Sequence, residues 1–378
     1  MDDQEQSLGQ KELREGVLDA HLCVGCGACA YLCPYQVIYK DQTIILHDCD
    51  LKQGRCYAFC PRTPTDYDAA RRRLFDEKDL TPELGPVKGF YIARAKSKAD
   101  RKKAQHGGTV SALMALALEE GIIDTAVVAE GEADFLHHSV AVNDPKEVKK
   151  RGKSKFIVSP TVAQFNKAAA GEAQKIGVVA TPCQAQAFAK MRMKPIAGKE
   201  SNIDKLQLVI GLFCGWALNW RSFTELLSRS TPLKTITGMD KPPGTQTVEI
   251  FTKSGTISLS VDDIDKCVRE ACRYCIDSTA EFADISVGSA RLPESWDETK
   301  TWNQVIVRSE SGQRLMERAR AKGILEFHDV PEGNFAELKK AAVEKKKGAL
   351  GQIIKKSGDS NNLIYLDRND PVVKAMMG

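Results

Sequence analysis

The feature that most constrains this 378-residue chain is a run of seven cysteines that ends at Cys60. The run opens with the spacing C-x-x-C-x-x-C-x-x-x-C followed by proline, formed by Cys23, Cys26, Cys29 and Cys33. Thiolates at this spacing can wrap around the corners of an iron–sulfur cluster. Gly25 and Gly27 lie between them, where the absence of a side chain lets backbone N–H groups approach the sulfides. The sequence therefore predicts an iron–sulfur module at the start of the chain.

The seven cysteines divide into two sets if the module is bacterial ferredoxin-like, with two clusters. In such a module the fourth cysteine of each run ligates the other cluster, so Cys60, which also precedes a proline, completes the first set. The predicted first set is Cys23, Cys26, Cys29 and Cys60. The second set is Cys33, Cys49 and Cys56, because Gln53 stands at about the position of the usual fourth cysteine. Three thiolates suit a 3Fe-4S cluster, or a 4Fe-4S cluster with another fourth ligand, and the sequence leaves both open.

Composition argues against several other classes of protein. The 54 basic and 50 acidic side chains nearly balance, which does not indicate a nucleic-acid partner. No apolar run approaches the roughly 20 residues of a membrane span, and the acidic, polar start of the chain does not resemble a signal peptide. We therefore expect a cytoplasmic protein whose twelve cysteines serve metal or redox chemistry rather than disulfides. Zinc is an alternative for the first run, but two Cys-Pro endings fit the paired knuckles of zinc sites poorly.

The rest of the chain alternates strand-like and helix-like segments. We predict an iron–sulfur module at 1–64, a linker helix at 65–88, a mixed α/β domain at 89–330 and a C-terminal helical extension at 331–378 with a basic surface helix. The fold class is thus α+β or α/β, with a largely parallel sheet that collects ligands at the carboxyl ends of its strands. Cys183 and Cys214 follow two such strands and could share one site. Between 234 and 259 the pattern becomes β, with a hairpin predicted around Ser254.

A further constellation of cysteines lies in the predicted α/β domain. Cys267, Cys272 and Cys275 have the spacing C-x-x-x-x-C-x-x-C. Three ligands need a fourth, and Cys183 and Cys214 are the thiols available at strand ends. We favour a 4Fe-4S cluster here, for two or three clusters in total, because a redox module already precedes the domain; four thiolates suit zinc equally well. Either Cys183 or Cys214 could instead be a small buried residue, which is a common role of cysteine.

The segment from His106 to Ser111 opens a predicted helix with two glycines. Free N–H groups and the positive end of the helix dipole favour a phosphate at such a position. An ordinary N-cap made by Thr109 or Ser111 would explain the same residues. The pattern alone therefore leaves a phosphate site open.

Four motifs taken together resemble one known family. They are TPCQ at 181–184, GLFCG at 211–215, the C-x-x-x-x-C-x-x-C run and AEFADISVG at 280–288. With them the chain resembles the coenzyme F420 hydrogenase/dehydrogenase beta-subunit family over nearly its whole length. The resemblance implies a bound FAD, with these residues near it: Gly107, Gly108, Thr109, Ser111, Ser154, Lys155, Thr181, Pro182 and Gln184. It also implies an inner cluster, held by Cys214, Cys267, Cys272 and Cys275, with Cys183 as the alternative fourth ligand.

Members of this family couple iron–sulfur clusters and FAD to coenzyme F420, often as subunits of hydrogenases, formate dehydrogenases or heterodisulfide reductase assemblies. The resemblance implies an oxidoreductase subunit that transfers electrons between such a partner, or ferredoxin, and coenzyme F420. No catalytic acid–base residue is expected, since hydride passes between stacked rings, and His106, His137 and His138 are predicted to be structural. Two alternatives stay open, a ferredoxin-dependent reductase of another acceptor and a non-catalytic electron-relay subunit.

Overall fold

The computed structural model of the chain describes residues 8–131, 136–153, 156–193, 196, 201–242 and 244–378. An N-terminal cysteine-rich segment packs on a domain that is built around an eight-stranded sheet. The mixed α/β class predicted from the sequence is confirmed. None of the helices in these residues is both long enough and apolar enough to cross a membrane.

The N-terminal segment consists of short elements joined by cysteine-bearing loops. Its helices are α1 (Gln10–Leu13), continued by a π-helical turn (Arg14–Leu18), α2 (Arg55–Ala58) and α3 (Tyr67–Leu74). Its strands form two antiparallel pairs, β1 (Gln36–Tyr39) with β2 (Gln42–Ile45) and β3 (Leu80–Thr81) with β4 (Gly85–Pro86). Helix α3 begins where the Asp66 side chain accepts a hydrogen bond from the Ala69 N–H (2.8 Å). It lies where the sequence predicts a linker helix.

The remaining strands build one large and one small sheet. They are β5 (Gly89–Ala95), β6 (Thr125–Gly131), β7 (His137–Val142), β8 (Ile176–Ala180), β9 (Leu206–Leu212), β10 (Ile236–Asp240), β11 (Thr247–Thr252), β12 (Gly255–Ser260), β13 (Ile285–Ser289), β14 (Asn303–Val307) and β15 (Leu325–His328). The strand order of the large sheet is β15-β5-β14-β13-β9-β8-β6-β7. The small sheet consists of β10, β11 and β12 in that order and is antiparallel. Thr252 lies opposite Gly255 at the turn between β11 and β12, which confirms the predicted hairpin.

The large sheet is parallel only in its centre. Strands β6, β8, β9 and β13 pair parallel. Towards the edges all pairs are antiparallel, β7 with β6, β14 with β13, β5 with β14 and β15 with β5, so β5 again runs in the direction of the central strands. The central strand β8 is a continuous apolar run, and β9 is apolar except for the exposed Gln207. Both strands are mostly buried, as parallel strands usually are. The loop at 290–302 returns the chain antiparallel, because it carries only a four-residue helix instead of a long crossover helix. The prediction of a largely parallel sheet is therefore correct for the centre and wrong for the edges.

Helices cover the sheet and extend to the C-terminus. They are α4 (Lys98–Lys103), α5 (Thr109–Glu119), α6 (Pro145–Lys150), α7 (Thr161–Ala170), α8 (Pro182–Met193), α9 (Trp220–Ser228), α10 (Val261–Lys266), α11 (Trp296–Thr299), α12 (Glu310–Ala321), α13 (Asn334–Ser357) and α14 (Pro371–Met377). Helix α5 is apolar on nearly all sides because it is buried against the sheet.

The N-terminal segment docks on α7 through its first cysteine loop. The Val162 N–H of this helix donates to the Cys26 carbonyl (3.1 Å). Gly27 has a φ of 81°, and a Cβ on it would lie 2.5 Å from the Cβ of Ala163. The loop therefore presses on the helix at a point that has no room for a side chain.

A buried ion pair makes a second link between the N-terminal segment and the domain. Arg269 Nη1 donates to Asp41 Oδ2 (2.5 Å) and its Nη2 donates to the Cys23 carbonyl (3.1 Å). The Trp220 N–H donates to the same Asp41 oxygen (3.1 Å). Because a buried charge is tolerated only when it is paired and hydrogen-bonded, these contacts hold the β1–β2 hairpin to the domain.

The basic helix α13 is predicted to be a surface element, but in the structure it is partly buried. One of its faces is buried, formed by Ala342, Lys346, Ala349, Leu350 and Ile353. Lys346, only 1% exposed, pairs with Glu281 and donates to the Ile276 carbonyl (3.3 Å). The C-terminal extension thus packs on the segment that follows Cys275, since a buried carboxylate there compensates the lysine.

We expect Gly27→Ala to destabilise the protein. An alanine at this position must adopt left-handed backbone, which costs on the order of 1–3 kcal/mol, and its methyl group would also collide with Ala163. Urea unfolding of the full-length protein should show a lower midpoint. The control is Gly351→Ala in α13, where an added Cβ meets nothing within 4 Å and should add about 0.5–1 kcal/mol. Equal midpoints for the two variants would contradict the docking described here.

Candidate metal centres and cofactor cleft

The four thiols of the first set line one cavity. Its walls include Cys23, Cys26, Cys29, Cys60 and Thr43, together with the apolar side chains of Leu13, Val17, Leu18 and Val24. The Thr43 Oγ1 lies 3.3 Å from the Cys29 Sγ. Four thiols on an otherwise apolar wall are the donor set that an iron–sulfur cluster requires. The residues at this cavity therefore fit such a cluster.

Burial controls the protonation of these thiols. It raises the pKa of Cys26 and Cys29 well above the ordinary value, and it raises the pKa of Cys60 to about 11. Cys60 raises the pKa of Cys26 and Cys29 further, because each thiolate disfavours ionisation of its neighbours. Without metal these three thiols are neutral at physiological pH. Binding of iron must therefore release their protons.

The second set lies towards the surface of the N-terminal segment. Cys33 is exposed, and Cys49 and Cys56 are half-buried. Burial raises the pKa of Cys56, and Cys33 and Cys49 raise it further, so the structure brings these three thiols together. Gln53 is exposed, whereas the buried side chain of Gln36 hydrogen-bonds the Cys56 thiol.

Four thiols are grouped inside the α/β domain, and we call them the inner set: Cys183, Cys214, Cys272 and Cys275. Cys183 lies in the first turn of α8, directly after β8, and Cys214 follows β9. These two strands are parallel neighbours, so both thiols lie at the carboxyl edge of the sheet. The Cys214 N–H donates to the Ser278 carbonyl (2.9 Å), which joins this edge to the segment that carries Cys275.

The mutual influence of these thiols shows how closely they are grouped. Burial raises the pKa of Cys183 to about 12, and Cys275 is the next cause. Burial also raises the pKa of Cys214, and the next causes are Cys272, Cys183 and Cys275. The Ala217 N–H donates to the Cys272 Sγ (3.3 Å), a contact that also favours a thiolate.

Cys267 lies apart from the inner set. It follows α10, whose residue Ile264 is buried in the apolar core of the small sheet, and Cys267 packs in that core with Leu218. After burial, the main influence on the pKa of the Cys267 thiol is the Asp263 carboxylate, and no thiol is among the leading causes. The resemblance implies Cys267 as a ligand, but the structure brings Cys183 to the other three thiols instead, because α10 turns Cys267 towards the small sheet.

The first and inner sets are neighbours across the docking interface. Cys183 is among the thiols that raise the pKa of Cys26. Helix α7, on which the Cys26 carbonyl docks, packs on α8 through the edge-to-face contact of Phe165 and Phe188, whose ring centroids are 5.2 Å apart. One pair of helices therefore links Cys26 of the first set to Cys183 of the inner set.

The thiols in all three sets are free of disulfides. Among the described residues, no three His, Cys, Asp or Glu side chains converge on a point that could hold a single metal ion. In a zinc site the sulfurs stand about 2.3 Å from the ion. The thiols are thus grouped without meeting at one ion-sized point.

The residues of the TPCQ turn surround Cys183. The Thr181 N–H donates to Gln184 Oε1 (2.8 Å), and Thr181 Oγ1 lies 3.4 Å from Cys183 Sγ. Gln184 Nε2 donates to the Ser159 carbonyl (2.5 Å), and Pro182 is buried as the first residue of α8. These contacts fix the orientation of the Cys183 side chain.

The glycine turn before α5 lies at the same edge of the sheet. Gly108 has a φ of 77°, which glycine adopts without strain. The Thr109 N–H donates to Asn303 Oδ1 (3.3 Å), and its hydroxyl donates to the Ala93 carbonyl (3.2 Å). A Cβ on Gly107 would lie 2.6 Å from the same Asn303 oxygen. The turn is therefore held close to β14, and one N–H of the helix start is already used within the protein.

The stretch that leads to residue 154 packs against this turn. The Gln105 N–H donates to the Gly152 carbonyl (3.2 Å), and a Cβ on Gly152 would lie 3.0 Å from Ser111 Oγ. Ser111 is almost fully buried. Ser154 and Lys155, which the resemblance places near FAD, lie outside the described residues. The structure thus joins two of the segments implied to contact the flavin.

Several polar residues of this region could not be found by sequence reasoning. His106 Nδ1 lies 2.9 Å from Ser289 Oγ, and its Nε2 lies 3.6 Å from Asp240 Oδ1. Burial acts to raise the pKa of Asp240, but its hydrogen bond with His106 holds that pKa below the ordinary value. Ser289, Asp240 and Asn303 belong to no motif, because only the tertiary structure brings them to the turn.

Two buried cations near the thiols were also missed. Arg62 follows the second Cys-Pro ending, and Lys190 lies on α8. Lys190 Nζ donates to the Cys60 carbonyl (2.8 Å), and burial lowers the pKa of Lys190 to about 8. The Cys-Pro-Arg sequence was a signal for Arg62, whereas nothing in the sequence distinguishes Lys190 from a surface lysine.

Family models match most of the chain. Two of them describe the beta subunit of coenzyme F420 hydrogenase/dehydrogenase: the model of its N-terminal part matches residues 90–166, and the model of its C-terminal part matches residues 173–333. The chain belongs to this family. A 4Fe-4S binding domain model matches residues 17–39. The N-terminal segment is therefore a 4Fe-4S domain that precedes a beta-subunit domain, as the sequence predicts.

Individual relatives agree with the family. The chain is 29% identical over 270 residues to the coenzyme F420 hydrogenase subunit beta of Methanothermobacter thermautotrophicus. The aligned residues cover 70% of this chain and 94% of that protein. It is 26% identical over 338 residues to the coenzyme F420-dependent sulfite reductase of Methanocaldococcus jannaschii. This alignment covers 86% of this chain. The chain spans 50% of the length of that reductase.

The fold is similar to that of a solved structure. A chain of the F420-reducing NiFe hydrogenase complex from Methanosarcina barkeri superposes with a TM-score of 0.67 at 26% identity. The match covers 77% of this chain and 98% of that chain. The relatives are thus oxidoreductases or their subunits, and the family is one of F420-linked redox proteins.

We expect Cys272→Ser to remove about one cluster's iron from the chain and Cys267→Ser to leave the iron content unchanged. The reason is that Cys272 belongs to the inner set, whereas Cys267 lies in the apolar core of the small sheet. Iron and acid-labile sulfide per chain, determined after anaerobic reconstitution, measure the difference. Cys183→Ser should behave like Cys272→Ser. Loss of iron from Cys267→Ser but not from Cys183→Ser would return Cys267 to the ligand set.

Proposed function

We propose that this chain is an iron–sulfur flavoprotein subunit that transfers electrons between a partner redox enzyme and coenzyme F420. The observation that carries the proposal is the adjacency of the first and inner thiol sets, one in the 4Fe-4S domain and one in the beta-subunit domain. Cofactors that exchange electrons have to lie close together, and two neighbouring buried thiol sets provide for this. The family, and the relatives named for coenzyme F420, support it as the acceptor or donor.

The thiols are the proposed ligands of the clusters. The first set, Cys23, Cys26, Cys29 and Cys60, would hold one 4Fe-4S cluster, and the inner set would hold another. The second set, Cys33, Cys49 and Cys56, would hold a third cluster, of the 3Fe-4S type or of the 4Fe-4S type with a further ligand. Such clusters exchange single electrons, whereas a flavin can also pass two electrons as a hydride. The chain's part is to hold the thiols in place and to exclude water from them.

We propose that FAD binds at the carboxyl edge of the large sheet, next to the inner set. Gly107, Gly108, Thr109 and Ser111 lie at this edge because the Ala95 N–H, at the end of β5, donates to the Gly107 carbonyl (2.8 Å). Thr181, Pro182 and Gln184 lie at the same edge, directly after β8. Ser154 and Lys155 would complete the surroundings of the flavin. The start of α5 offers N–H groups and a positive dipole end to the phosphates.

The second set is the proposed point of electron exchange with a partner. Cys33 is exposed, and large apolar side chains near this set are also exposed, with Tyr35 at 37%, Leu46 at 50% and Leu51 at 57%. The Leu46 N–H donates to the Tyr35 carbonyl (2.8 Å), so these two residues are adjacent. A redox subunit of the hydrogenase, formate dehydrogenase or heterodisulfide reductase type, or a ferredoxin, would contact the protein here.

An anaerobic assay of the purified chain tests the proposal. Released flavin is quantified first, and reduced ferredoxin is then supplied while the absorbance of oxidised coenzyme F420 is followed. We expect bound FAD and a rapid loss of this absorbance. Cys272→Ser should slow the reaction strongly, whereas the matched variant Cys267→Ser should not, because only Cys272 belongs to the inner set.

Each other outcome of the assay has a definite meaning. Bound flavin without reduction of coenzyme F420 would contradict the proposed acceptor and favour a reductase of another acceptor or an electron-relay subunit. Absence of flavin after reconstitution with FAD would contradict the flavoprotein assignment itself. A normal rate in Cys272→Ser would remove the inner set from the route of the electrons.

A further inference from the structure

Arg62 is a fully buried cation that directly follows the last cysteine of the first set and its proline. The residue is 2% exposed, and its guanidinium stacks on the Tyr365 ring at 4.6 Å from the centroid. Nη1 reaches the Pro61 carbonyl and Gln186 Oε1, both at 3.4 Å. The Nε and Nη2 atoms have no hydrogen-bond partner in the described part of the chain. The guanidinium therefore points two unsatisfied donors into the interior of the protein.

Other buried arginines of the chain are compensated either by an acid or by a full set of hydrogen bonds. Arg71 pairs with Asp370 at 2.8 Å, and Arg269 pairs with Asp41 at 2.5 Å. A guanidinium does not lose its proton in a protein, so a buried arginine needs an opposite charge nearby. Arg308 is also fully buried and also lacks a carboxylate ion pair among the described residues, but its Nε, Nη1 and Nη2 atoms donate to five acceptors. Arg62 stands out because, among the described residues, it has neither a carboxylate ion pair nor a hydrogen-bond partner for Nε and Nη2.

The groups around Arg62 indicate which of its neighbours can carry the negative charge that balances it. Burial acts to lower the pKa of Arg62, but Tyr365, Cys275, Cys183 and Tyr67 raise it, and none of them is a carboxylate. The tyrosines do not ionise here, because burial raises the pKa of both. Of these groups only the thiols of Cys183 and Cys275 can become anionic, and they do so when they ligate metal.

The position of Arg62 gives it access to two thiol sets. It lies two residues from Cys60 of the first set, and its hydrogen-bond partner Gln186 lies one turn after Cys183 on α8. Tyr365, on which its guanidinium stacks, donates to the carbonyl of Tyr274 (2.7 Å), the residue before Cys275. Cys183 in turn influences Cys26 of the first set. Lys190 contributes a second buried cation on the first-set side only, through its contact with the Cys60 carbonyl (2.8 Å).

We propose that Arg62 is a positioning residue that serves as the shared counter-charge of the first and inner sets and raises the reduction potential of both bound clusters. This inference rests on the cluster assignment in the proposed function. Each cluster gains one electron on reduction, and Arg62 keeps its proton throughout. The reduced form carries more negative charge, so a fixed cation in a low-dielectric interior favours it over the oxidised form. The two unsatisfied guanidinium donors are suited to sulfur acceptors.

The test is a reductive titration of the anaerobically reconstituted full-length protein, with dithionite as titrant and electron paramagnetic resonance as readout. Arg62→Gln removes the charge and keeps a hydrogen-bonding side chain, so we expect unchanged iron content and a more negative midpoint for both clusters. A tenfold weaker equilibrium constant for reduction corresponds to about 59 mV for a one-electron couple, and we expect at least this change. Arg62→Lys should stay near the wild-type midpoints, because it keeps the charge.

The control variant is Arg72→Gln on α3. It makes the same change in net charge at a side chain that is 52% exposed, and it should leave both midpoints unchanged. Full iron content with unchanged midpoints in Arg62→Gln would overturn the proposal, as would equal shifts in Arg62→Gln and Arg62→Lys. If Arg62→Gln loses iron, retention in Arg62→Lys supports the charge role and loss in both variants refutes it. Absence of reducible clusters from the wild-type protein would instead refute the proposed function.

Discussion

The contact between the first cysteine loop and helix α7 is the constraint on which the rest of the structure depends. The Cys26 carbonyl accepts a hydrogen bond from this helix, and Gly27 lies so close to Ala163 that no side chain fits between them. The same helix packs on α8, which begins beside Cys183. One pair of helices therefore joins Cys26 and Cys183, which belong to thiol sets in different domains. A shift of the loop on α7 would change the distance between the sets and expose thiols that burial now keeps from water.

Buried charges extend this constraint to the C-terminal part of the chain. Glu281, close after Cys275 in sequence, pairs with Lys346 of α13 and lies 3.9 Å from Arg71 of α3. Burial raises the pKa of Asp277 and lowers the pKa of Arg308 to about 10, which shows how dry this region is. Charges in such a place stabilise a structure only when all partners are present. The C-terminal extension is thus part of the support of the inner set.

This arrangement also separates two kinds of buried cation. Lys346 and Arg71 meet carboxylates, so their role is explained by the folded chain alone. Arg62 and Lys190 face thiols, carbonyls and aromatic rings instead. Under the proposed cluster assignment, deprotonation of the thiols on metal binding would balance these charges. The proposed cluster ligands Cys26, Cys29, Cys60 and Cys183 lie in or against one continuous apolar core, which links the 4Fe-4S domain to the beta-subunit domain.

The sequence by itself determined the 4Fe-4S domain, the mixed α/β class, the hairpin at Ser254 and the family, because cysteine spacing, alternating periodicity and short motifs are local properties. The sequence identified every thiol of the inner set as a candidate ligand. Which four of the five candidates lie together does not follow from local sequence. Only the tertiary structure decided that Cys183 is grouped with Cys214, Cys272 and Cys275 while Cys267 packs in the core of the small sheet, since this depends on where α10 buries Ile264. The same holds for Arg62, Lys190 and Asn303, whose neighbours are distant in sequence. Charge compensation and close packing are settled between segments, and for that reason no single segment reveals them.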